Sequence, residues 1–176
     1  MNFKDAILII TATFVCLSFG LPNNIQKKVD KEIKSVFDIE SFKFTSVEIP
    51  LNVAKTLPSK FGPDNLFKIE AEKKLLGYAY VSQAPSKTAQ YDYLVLLDKD
   101  LIVLKTKVLI YREEYGGEIG STRWLKQFIG KKEGDELTYG DNIVAISGAT
   151  ISVRSMTSAM NNLLESLKIL HSKQIL

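Results

Sequence analysis

Six apolar residues near the C-terminus, Met156, Met160, Leu163, Leu164, Leu167 and Leu170, recur three or four positions apart. That spacing puts them on one face of an α-helix, and the face must be buried against something. The preceding residues supply the partner in a different period. Residues 66–73, 75–83, 91–97 and 101–111 are β-rich runs. They are separated by a turn at Lys73-Lys74, a polar loop over 84–90 and a tight Asp98-Lys99-Asp100 turn. Short turns between consecutive strands make an antiparallel meander. The fold class that follows is α+β, one antiparallel β-sheet packed by helices.

The flanking segments fit this plan. Residues 23–37 form an amphipathic helix introduced by Pro22, with Ile25, Val29, Ile33, Val36 and Phe37 on one face. Lys27, Lys28, Lys31, Glu32 and Lys34 occupy the other face. Residues 41–49 read as a strand stopped by Pro50, and 51–65, with Pro58, Gly62 and Pro63, as a connection. Ser121 caps a short helix through Phe128 in which Trp124, Leu125 and Phe128 face the core and Lys126 and Gln127 face outward. Gly130 closes that helix, and 131–141 is a charged loop.

Composition removes several function classes. A net charge of +3 is too small to argue for nucleic acid. The uncharged run 6–19, with the small residues Ser18 and Gly20 at its end, reads as a signal peptide cleaved after Gly20; an uncleaved anchor is the alternative. The chain is thus expected to be exported, to the periplasm or the outer face of the cytoplasmic membrane. The single cysteine, Cys16, lies inside that run, so the mature chain offers no disulfide, thiolate metal site or cysteine nucleophile. The single histidine, His171, falls at the end of the last helix and reads as solvated. No catalytic acid–base pair and no metal site stand out. Glu113, Glu114 and Glu118 cluster, but a solvated loop accounts for them. Redox chemistry would need a bound cofactor.

One position has chemical character. Ser147-Gly148-Ala149-Thr150 stands where the short extended stretch 142–146 gives way to the C-terminal helix. The first N–H groups of a helix lack intrahelical partners, and the helix dipole adds partial positive charge there. Gly148 permits close backbone approach, and Ser147, Thr150 and Ser152 add hydroxyls. A phosphate would be well held. Taken alone, the spacing favours a plain helix cap.

The segment 143–152, with Ile-Ser-Gly-Ala-Thr at its centre, resembles the flavin attachment motif of the FMN-binding domain family. That family includes covalent-flavin subunits of the Na⁺-translocating NADH:quinone reductase and Rnf complexes, and small extracytoplasmic flavin proteins. A second block is similar too. Tyr111-Arg112-Glu113-Glu114-Tyr115-Gly116-Gly117-Glu118-Ile119-Gly120 and Trp124-Leu125-Lys126-Gln127-Phe128 resemble the family's Glu- and Gly-rich loop and its Trp-containing helix. The resemblance covers roughly residues 70 to 170.

With the signal read over 1–20 and the helix and strand extension over 21–65, the resemblance implies an FMN-binding domain over 66–172. It implies FMN joined by a phosphoester to Thr150 through a flavin transferase, with Ser147, Gly148, Ala149 and Ile151 around the phosphate. Tyr115, Gly116, Gly117 and Glu118 are expected at the flavin ring, and Thr88 as a further contact. The family motif carries an acid three positions before the serine, where this chain has Val144; the nearest acid is Asp141. Covalent attachment and non-covalent binding therefore both stay open. The expected role is electron carrier, with an unidentified, membrane-bound redox partner. A flavin-dependent reductase of a soluble acceptor and a flavin-free binding module are the alternatives.

Overall fold

The first helix, α1, spans Asn23–Phe37 and buries Ile25, Val29 and Ile33, with Asp38 closing it in the left-handed conformation. It is seen in a computed structural model, which describes residues 20–176. The apolar run 6–19 and Cys16 of the expected export signal lie outside the described residues. Five strands follow: β1 Lys43–Ser46, β2 Leu66–Ala71, β3 Lys74–Pro85, β4 Gln90–Asp98 and β5 Val103–Ile110. They form one sheet in the order β1-β2-β3-β4-β5, every neighbouring pair antiparallel. A short helix α3, Thr122–Leu125, and the long helix α4, Thr150–Ser172, complete the chain after a one-turn helix α2 at Leu51–Ala54.

The alternation of side chains along a strand explains why the central strands are buried on both faces. Tyr78, Tyr80, Tyr91, Tyr93, Val95 and Leu97 point into a core with α4. Ala79, Val81, Leu94 and Leu96 point into a second core with α1. Met156, Met160, Leu163, Leu164, Leu167 and Leu170 are all buried in the first core, as their period requires. The sheet is thus sandwiched between the first and last helices, and α4 cannot move without disturbing one core.

Several local expectations need correction. β3 runs on to Pro85, and Ala84 is buried rather than part of a polar loop. The β2–β3 turn sits on Glu72 and Lys73, both at positive φ, not on Lys73-Lys74. Leu101 also has positive φ and belongs to the turn before β5. There the Asp98 carboxylate accepts from the N–H groups of Asp100 and Ile102, each at 2.9 Å. The connection 51–65 contains α2, too short for any period to show. Among the described residues no helix is long and apolar enough to cross a membrane, and no acidic, histidine or cysteine cluster could hold a metal.

Gly77 marks a close approach in the centre of the sheet. A Cβ there would lie 2.0 Å from the Leu97 carbonyl oxygen, which is backbone and cannot rotate away. Gly77→Ala is therefore expected to cost about 1–3 kcal/mol through forced separation of β3 and β4. A lower urea midpoint at unchanged m-value would report it. A wild-type midpoint would show that the strands tolerate the methyl group.

Candidate functional site

Trp124, Leu125 and Phe128 form the apolar side of α3 and of the 3₁₀ turn that continues it, and all three are buried. The Ser121 hydroxyl accepts from the Trp124 N–H, so the expected cap is in place. The Trp124 ring meets Phe128 edge to face, 5.3 Å between centroids. Its indole N–H donates to the Val144 carbonyl at 2.8 Å. Gln127, expected outside, is half-buried because its Oε1 accepts from the Val144 N–H at 2.7 Å. Both polar groups of one peptide residue are thus taken by side chains. Residues 144–146 are held without belonging to a strand, and the Val144 side chain is left 63% exposed.

This fastened segment leads into the start of α4. Ala149 occupies the cap position, and no side chain caps the helix. Neither Ser147 nor Thr150 supplies the ordinary capping bond, so the first-turn amides stay available to a ligand. Gly148 has φ +80 and open space where a Cβ would stand. The first turns are pinned from below. The Tyr91 hydroxyl donates to the Ser152 carbonyl at 3.0 Å, and the Ser155 hydroxyl donates to the Pro85 carbonyl at 2.6 Å. Burial raises the Tyr91 pKa, so its phenol keeps the proton it donates. The Tyr111 hydroxyl lies 3.1 Å from the Ser152 hydroxyl and donates to the Tyr115 carbonyl at 3.1 Å.

A cleft of about 640 Å³ opens over this point, within the range of small-molecule sites. Its walls are Lys87 and Thr88, residues 111–115, and residues 148–152. Of the residues expected to bind, Thr88, Tyr115, Gly148, Ala149, Thr150 and Ile151 are brought together here. Ser147 is exposed just before the cleft and does not line it. Gly116 lies beneath, at φ +82, where a Cβ would come 3.3 Å from the Ala149 Cβ and 2.9 Å from the Tyr111 hydroxyl. Gly117 faces open space, and Glu118 faces a separate hollow of about 380 Å³ beside Trp124 and Val144.

Sequence reasoning missed Lys87, Tyr111, Arg112, Glu113 and Glu114 as parts of the wall. The last four stand inside the Glu- and Gly-rich block, which was the available signal. The Arg112 guanidinium donates to the Gln90 carbonyl at 2.8 Å and pairs with the buried Asp92 carboxylate. Asp92 also accepts from the Gln83 amide at 2.7 Å. A fixed cation therefore shares the cleft with uncapped helix amides. Tyr115 is 81% exposed at its rim, an aromatic face open to a flat ligand. The set suits an elongated ligand with an anionic end and a planar ring.

Residues 88–165 match the family model of the FMN-binding domain. In fold the chain is similar to NqrC from Shewanella oneidensis, at a TM-score of 0.58 and 15% identity, over 85% of this chain and 97% of that one. No curated protein matches the sequence.

Proposed function

From the premise that residues 88–165 form an FMN-binding domain, we propose that the protein is an exported electron carrier whose FMN lies in the cleft at the start of α4, phosphate at Thr150. The observation that carries this reading is the uncapped start of a 23-residue helix opening into the cleft. Uncapped amides and the helix dipole favour a phosphate. The residues present fit the rest of FMN. Gly148 leaves room for the phosphate, Lys87 brings a cation to the wall, and Tyr115 offers a face to the ring.

FMN supplies reversible electron transfer when bound. The chain's own residues bind, orient and hold it. Tyr91 and Ser155 anchor the helix start, and Trp124 and Gln127 fix the approach to Ser147. Thr150 is exposed at the helix start, and its hydroxyl is the group a flavin transferase would esterify. The apolar run 6–19 supports export, and the resemblance to membrane-complex flavin subunits supports a redox partner at the membrane.

Purified flavin-loaded protein is expected to cycle reversibly between oxidised and reduced flavin at an electrode, and to show no sustained turnover when a chemical reductant and a soluble acceptor are supplied together. Sustained turnover with a soluble acceptor would favour the reductase reading instead.

A further inference from the structure

We propose that Glu113 is a positioning residue, a latch that holds the Lys87–Thr88 wall of the FMN cleft against the 111–115 wall. The proposal rests on FMN occupying that cleft. One oxygen of the Glu113 carboxylate accepts from the backbone N–H of Thr88 at 2.7 Å and from that of Ala89 at 3.2 Å. The Thr88 hydroxyl lies 3.4 Å from the same oxygen. The neighbouring Arg112 reaches the Gln90 carbonyl and Asp92 on the strand that follows the turn. Two consecutive side chains thus fasten residues 112–113 along 88–92, and this side of the cleft has a fixed width.

The turn itself offers those two amides no substitute. Its internal bonds, from the Ser86 N–H and hydroxyl, both end on the Ala89 carbonyl. The charged groups sharing the cleft with Glu113 are Lys87, Arg112 and Glu114, with the phenols of Tyr111 and Tyr115. With the Ser86 hydroxyl close by and the Thr88 and Ala89 amides donating to it, the Glu113 carboxyl is held below its usual range. The latch is therefore charged and closed at neutral pH, and it releases only as pH falls through that lowered value.

Removing Glu113 gives opposite signs for two roles. If the carboxylate were merely a charge near an anionic cofactor, its loss would tighten FMN binding. A latch predicts weaker binding, because the Lys87–Thr88 wall is freed. Titrating FMN into chain produced without a flavin transferase separates the two. Glu113→Ala is expected to bind FMN about tenfold more weakly. Its Thr88 and Ala89 amides should exchange with solvent faster than in wild type. Glu113→Gln keeps an acceptor oxygen without the charge, and is expected to restore both the amide protection and wild-type or tighter affinity. Glu113→Ala that binds as tightly as wild type, or that keeps its amide protection, would overturn the latch. A wild-type chain whose amides are protected yet which takes up no FMN would overturn the flavin reading, and the role of Glu113 with it.

Discussion

Trp124→Ala is expected to destabilise the fold by about 3–5 kcal/mol, the cost of removing a buried indole that cannot be refilled. The ring is 6% exposed and stacks edge to face on Phe128, which is fully buried. Its N–H also holds the Val144 carbonyl, and that acceptor would lose its partner. The damage should travel, because Val144 leads into Ser147-Gly148-Ala149-Thr150 at the start of α4. Trp124→Phe isolates the second term. It keeps most of the packing and drops the bond, so about 0.5–1.5 kcal/mol is expected. Urea unfolding measures both. A loss below 1 kcal/mol for Trp124→Ala, or native fluorescence typical of a water-exposed tryptophan, would contradict the packing described.

Thr150→Val is expected to abolish all flavin that survives denaturation, since it removes the oxygen able to carry an ester to the phosphate. If the flavin is held without a covalent bond, the same change removes one hydrogen bond to a charged group, worth about 1.5–3 kcal/mol. Flavin would then be weakened but present in native protein. The side chain at 144 provides a companion variant. Its backbone is held on both sides by Trp124 and Gln127 while the side chain points to solvent. Val144→Asp is therefore expected to fold normally and to raise flavin loading in cells carrying a transferase. Unchanged loading would show that the missing acid does not limit modification. In-gel fluorescence after denaturation distinguishes these outcomes.

The elements with a long, unbroken period were legible before the structure. Asn23–Phe37 and the apolar face from Met156 to Leu170 follow from spacing alone, as does the antiparallel meander. The turns were less legible, because Glu72, Lys73 and Leu101 adopt positive φ without being glycine. Residue type gives little warning of that conformation outside Gly and Asn. The site was legible where it depends on backbone, at Gly148 to Ile151. It was not legible where it depends on pairing across the sheet. Arg112 reaches Gln90 and Asp92, and Gln127 reaches Val144, through bonds between residues 17 to 22 apart in sequence. No periodicity encodes such contacts. Glu113 looked like one of several solvated acids until its carboxylate was seen to gather the Thr88 and Ala89 amides.

The most direct test of FMN at the start of α4 is a titration of ¹⁵N-labelled chain, produced without a transferase, with FMN followed by flavin fluorescence and amide chemical shifts. Saturable binding is expected, with the largest shifts at residues 148–152 and 111–115. No binding, or shifts centred on Glu118 and the hollow beside Trp124 and Val144, would contradict it.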